Sequence, residues 1–296
     1  MIRFGLLCAA GLLAGGVLVS GQVPASIPAP RSGSGGSITG AFEGWYYNPD
    51  GSRSFLVGYY NRNTQQELDI PIGPNNKIEP AGPDRGQPTH FVTGRQWGMF
   101  TVPVPRDFKE TDSYVWTITA NNQTTSIPLR LHPDYVMSPF KEIAVGNTPP
   151  QIRFEENGTP TQGPLANLAT APSRAASMAS PFAATVWLAD DMKYTSGTNA
   201  PMTASRPPVI ARWSKYRGPG AVTFGKPRPE VEKLSSSGTP GTTAGGSFTG
   251  RATTTVKFAE PGDYVLHVIA NDFSGDGGGG FGCCWSTALL KVSVKP

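Results

Sequence analysis

Apolar residues recur at every second position along most of this chain, and that alternation constrains the fold more than any other feature. Ala252, Thr254, Val256 and Phe258 follow it, as do Tyr264, Leu266, Val268 and Ala270, and again Ala288, Leu290, Val292 and Val294. Successive residues of a strand point to opposite sides of the pleat, so each run gives one half-buried face. Phe182, Ala184, Val186 and Leu188, then Val209, Ala211 and Trp213, add two more runs. In the first half, Tyr114, Trp116 and Ile118 share a face, and Asn121-Asn122 can supply the turn into the run from Thr124 to Leu131. Trp45 to Tyr47 and Phe55 to Tyr60 flank Asn48-Pro49-Asp50-Gly51, where proline presets a turn and glycine accepts positive φ. No amphipathic helical stretch interrupts the first half. The pattern predicts an all-β protein with a sandwich-like number of strands.

Composition agrees, with 36 glycines, 29 prolines and only 16% charged residues in 296. Residues 1–22 have the layout of a signal peptide: Arg3, an apolar run from Phe4 to Val19, then Ser20, Gly21 and Gln22. That run is shorter than the roughly 20 residues a membrane span needs. An exported product, secreted or periplasmic, is therefore expected, with no transmembrane anchor in the mature chain; Cys8 leaves with the signal. Removing Arg3 takes the formal charge from +4 to +3. Without a long basic run, so small an excess argues against nucleic acid as a partner. Residues 23–37 read as a flexible linker. Gly146-Asn147-Thr148-Pro149-Pro150 marks the expected boundary between an N-terminal domain over 38–146 and a C-terminal domain over 147–296. Gly73 to Pro88 reads as a long surface loop, and Leu165 to Ser180 as a short helix or loop.

The segment from Phe258 to Val268, Phe-Ala-Glu-Pro-Gly-Asp-Tyr-Val-Leu-His-Val, with Ala270-Asn271-Asp272 after it, resembles the E–F corner and F strand of PKD-type and cadherin-like immunoglobulin-fold modules. Trp213 stands where such modules bury a strand-C tryptophan, and Tyr264 precedes Leu266 by two residues, as a tyrosine corner requires. Leu266 occupies a position that is cysteine in antibody domains, which removes their inter-sheet disulfide. The resemblance covers residues 150–296. It implies two β-sandwich, immunoglobulin-like domains in tandem after the signal peptide. The strings GWYYNPDG, LDIPIGPNN, RGQPTHF and WSKYRGPG resemble those of secreted bacterial proteins, a likeness that brings no activity with it. The function this implies is a non-catalytic binding or structural module, with a cell-surface protein or a glycan as partner.

Topology sharpens the candidate sites. With Phe182 to Ala189 as strand B and Val209 to Ser214 as strand C, the B–C loop and the F–G loop fall at one end of an immunoglobulin sandwich. Asp190, Asp191, Asp272, Asp276, Cys283 and Cys284 then share one rim, close to the first domain. Four aspartates can cage Ca²⁺, which takes several oxygen ligands in irregular loops, and cadherin-like modules hold calcium at a domain junction. The same residues suit loop backbones as turn caps, and no D-x-[DN]-x-[DN]-G loop is present. Cys283 and Cys284 can form a vicinal disulfide if the glycines before them distort the chain. An intermolecular bridge, free thiols, or a redox or metal-binding site at the Asp272–Trp285 loop are the other readings. Trp45, Tyr47, Tyr59 and Trp97 can stack on a ligand such as a sugar, or fill the core. No nucleophile elbow, zinc-binding HExxH or phosphate loop occurs. Paired carboxylates such as Glu67 with Asp69 leave a carboxylate-based hydrolase in the N-terminal domain as an alternative.

Overall fold

Alternating runs become strands almost everywhere they occur. The computed structural model describes residues 32–80, 82–142, 146–193, 208–238, 245–272 and 284–296. Strands β1 (Ile38–Tyr47) and β2 (Arg53–Asn61) make the hairpin expected around Asn48 to Gly51, with Gly51 at φ 79°. β3 (Leu68–Asp69), β4 (Asn76–Glu79), β5 (His90–Phe91) and β6 (Gly94–Val104) follow. β7 (Tyr114–Ala120) and β8 (Gln123–Leu129) turn through Asn121 and Asn122 at φ of 49° and 61°, the positive pair that a tight two-residue hairpin demands. After residue 147 come β9 (Gln151–Arg153), β10 (Thr161–Gln162), β11 (Ser173–Ser177), β12 (Phe182–Asp190) and β13 (Val209–Arg217). β14 (Val222–Phe224), β15 (Val231–Gly238), β16 (Gly246–Phe258), β17 (Gly262–Asp272) and β18 (Trp285–Lys295) complete the order. The only helix among the described residues is a 3-10 turn at Pro133–Tyr135.

Two expectations change. Gly73 to Pro88 is not a plain surface loop, because β4 lies within it and pairs antiparallel with β7, Ile78 opposite Trp116. Asn76 makes this possible. Fully buried, it donates to the carbonyls of Ile70 and Pro88 at 3.0 and 2.8 Å and accepts the Trp116 indole N–H at 3.0 Å. Its amide thus satisfies polar groups that a buried loop would otherwise leave unpaired. Within Leu165 to Ser180, the segment β11 is neither helix nor loop; it pairs parallel with β18, Arg174 opposite Val292.

The sheets divide at residue 147. Before it lie β1-β2-β6, β4-β7-β8 and the pair β3-β5; after it lie β10-β9-β12-β16-β14, with β15 also on β16, and β11-β18-β17-β13. In the second lobe the two sheets meet face to face on Val186, Leu188, Trp213, Val256, Leu266 and Leu290. The corner between β16 and β17 is fixed by Tyr264, whose hydroxyl donates to the Glu260 carbonyl at 2.9 Å and accepts the Gly220 N–H at 3.1 Å.

The lobes are joined through the other face of β13, β17 and β18. Cross-strand partners share a face, so His267 with Leu289, Ile269 with Thr287 and Asn271 with Trp285 all point away from the second lobe's core. Instead Ile269 and Trp285 pack with Tyr46 and Leu56 of β1 and β2, while Leu289 and Tyr216 join the first lobe's core. Gly98 sits against Trp285 at φ 48°, where a Cβ would come within 2.8 Å of the indole. Residues 31–296 accordingly form one compact unit.

Replacing Tyr264 with Phe strips the corner of both hydrogen bonds and leaves the buried Gly220 N–H without a partner. Denaturant unfolding should lose about 1–3 kcal/mol with an unchanged m-value; an unchanged midpoint would contradict the role given to this hydroxyl.

Candidate functional site

The end of the second lobe brings together much of the acidic rim expected there. Asp190 closes β12 on the inner face of one sheet, and Asp272 closes β17 on the inner face of the other. Asn147 is fully buried, with its Nδ2 donating to Asp272 Oδ2 at 2.7 Å. Asp191 accepts the N–H and the hydroxyl of Thr148 at 3.1 and 3.0 Å, and the Lys193 N–H at 3.0 Å. Asp190 accepts the Met192 N–H at 2.7 Å. Cys284 is buried, its sulfur 3.6 Å from the Asn147 carbonyl oxygen. Asp276 and Cys283 lie outside the described residues.

Both Asp191 oxygens, and one each of Asp190 and Asp272, receive N–H or O–H donors, and Asp276, the fourth aspartate of the expected calcium set, is not among the described residues. Among the described residues no group of three or more His, Cys, Asp or Glu is placed to hold a metal ion. Burial, and then the charge of Asp272, push the Asp190 carboxyl well above its ordinary range. Its Oδ1 and the Asn147 Oδ1 have no partner among the described residues. Burial at a packed junction disfavours the charged form of this carboxyl.

Of the four aromatics considered for ligand stacking, two are core residues. Trp45 is 7% exposed and donates its indole N–H to the His132 carbonyl at 2.8 Å; Tyr59 is fully buried, its hydroxyl accepting the Val92 N–H at 2.9 Å. Neither presents a ring face to a ligand. β2 is covered on both sides, by the first lobe's core and by the second lobe, so its alternation marks no solvent face. Tyr47 is 58% exposed, its ring edge-on to Trp45. Trp97 lies under the Arg95 guanidinium at 3.8 Å from ring centroid to Cζ.

Two openings lie along the seam between the lobes. The first is a groove lined by Glu67, Asp69 and His90 of the first lobe and by Lys215, Pro219 to Phe224 and Glu260 of the second. β3 and β5 pair Asp69 opposite His90. His90 Nδ1 faces Asp69 Oδ1 at 3.0 Å, His90 Nε2 faces Glu67 Oε2 at 3.1 Å, and Lys215 Nζ donates to Asp69 Oδ1 at 2.8 Å. The sequence picks out Glu67 with Asp69 but gives no reason to join them to His90. Next along β13, Arg217 holds Asp84 through paired hydrogen bonds of 2.8 and 2.9 Å, which lower the Asp84 carboxyl below its usual range.

The second opening, a cavity of about 250 Å³, is lined by Arg95, Trp97, Ile210, Arg212, Arg228, Ile269 and Asn271. Arg95 is locked in place, donating to Glu43 at 2.7 Å and to the carbonyls of Tyr59 and Gln96 at 3.1 and 2.7 Å. Burial raises the Glu43 carboxyl more than Arg95 lowers it. Arg212 donates to Gln96 Oε1 across the seam at 2.9 Å. Sequence reasoning missed this cluster. One signal was present: alternation in β13 puts Arg212 on the face opposite buried Trp213, where an arginine needs a reason. No known protein-family model matches the chain, and no curated protein sequence matches it.

Behind the pocket, His267 is buried against the Tyr216 ring, 6.0 Å between centroids, with Nε2 unpartnered among the described residues. Burial, with the Arg212 charge second, lowers it to about 3. Its folded pKa lies below the ordinary 6.5, so the stability from its neutral form is complete above pH 6.5 and is lost as pH falls toward 3. Relative to His267→Phe, wild-type stability should drop by up to about 1.4 kcal/mol per pH unit below 6.5. Parallel profiles for the two proteins would contradict a buried neutral ring. For Asp190 the sign is opposite: a raised folded pKa favours folding at low pH and costs stability as pH rises. Asp190→Asn should therefore raise the melting temperature at pH 7 by a few °C, on the order of 1 kcal/mol for a chain this size, with the gain vanishing below about pH 4. A lowered melting temperature at pH 7 would show that the charged carboxylate is needed.

Proposed function

We propose that the protein is an exported, non-catalytic binding module that seats a small ligand at the seam between its two β lobes. The observation that carries this reading is the contrast between the two seam openings. In the Glu67–His90–Asp69–Lys215 groove both ring nitrogens of His90 already face carboxylates, and Lys215 is held by Asp69. A general base needs a nitrogen or oxygen within reach of the substrate proton, and here the basic atoms bind one another. That groove works as a strut between lobes. Among the described residues the other opening is lined by Arg95, Arg212 and Arg228 beside Trp97, Ile210, Ile269 and Asn271, a mixture of polar and apolar side chains from both lobes that packing alone does not call for.

The immunoglobulin-like reading of the second lobe is supported by strand order. β9-β12-β16-β14 against β11-β18-β17-β13 parallels the A-B-E-D and A′-G-F-C sheets of such domains, and the Tyr264 hydroxyl bonded to the Glu260 carbonyl is the tyrosine-corner contact. Export rests on residues 1–22. A Cys283–Cys284 bridge belongs with it, because an oxidising compartment favours the pair.

A ligand-observed screen with small molecules, mapped on the ¹⁵N-labelled protein, tests the assignment. Hits should perturb the Trp97 indole N–H and residues of β6, β13 and β17. Turnover of ester or glycoside substrates that is abolished by Glu67→Gln would replace the binding-module reading with the hydrolase one.

A further inference from the structure

We draw no further inference here: the strongest candidate, the outer face of the second lobe's larger sheet, where half-buried Trp187 of β12 stands in one row between Arg153 of β9 and Arg251 of β16, is an unpartnered sheet face with nothing in the structure to show what covers it.

Discussion

The second sheet of the second lobe is buried on both faces, and most of what distinguishes this protein depends on that. Its inner face, with Trp213, Leu266, Val268 and Leu290, closes a β-sandwich. Its outer face carries Trp285, Ile269, His267 and Leu289, side chains that in an isolated sandwich would meet water. Burying each large apolar side chain contributes about 1.5–3 kcal/mol, so the first lobe is held by an interface resembling a core. Polar groups at its edges then set the register between lobes. Lys215 reaches Asp69, Arg217 grips Asp84, and the Thr89 N–H donates to the Tyr216 carbonyl at 3.1 Å. β13 therefore serves both lobes, its inner face as core strand and its far end as connector.

That double burial explains which parts of the structure were readable in the sequence. Where a strand has one wet face, alternation locates it: β7, β12 and β16 fall where their apolar periodicity puts them, and the Asn121-Asn122 turn follows from backbone chemistry alone. Where both faces are covered, alternation still finds the strand but not which side chains are exposed, and so Tyr59 of β2 looks available when it is not. Trp45 misled for a related reason, since an indole at a strand end caps the core if a carbonyl such as that of His132 is near. β4 was hidden in proline-rich sequence because its formation depends on Asn76, whose partners are brought in by tertiary contacts. β11 was hidden because its strand partner among the described residues, β18, lies over 100 residues later.

The acidic rim was legible in part because topology fixes which loops share an end of a sandwich, and Asp190 with Asp272 does face inward there. Its chemistry was not legible. A run of aspartates in sequence cannot reveal that Thr148, Met192 and Lys193 N–H groups will occupy their oxygens. The arginine pocket is the converse case: Arg95, Arg228 and Asn271 carry no spacing signal, Arg212 is marked only by its place opposite buried Trp213, and the docking of one lobe on the other assembles them. Its geometry is fixed only if that docking is, because Arg95 belongs to one lobe and Arg212, Arg228 and Asn271 to the other.

Differential scanning calorimetry of the intact protein tests that dependence most directly. If the seam couples the lobes as a shared core, the protein unfolds in a single transition whose calorimetric and van't Hoff enthalpies agree. Two resolved transitions, or a calorimetric enthalpy near twice the van't Hoff value, would mean that the lobes fold independently, and that the seam and its pocket are not a fixed part of the fold.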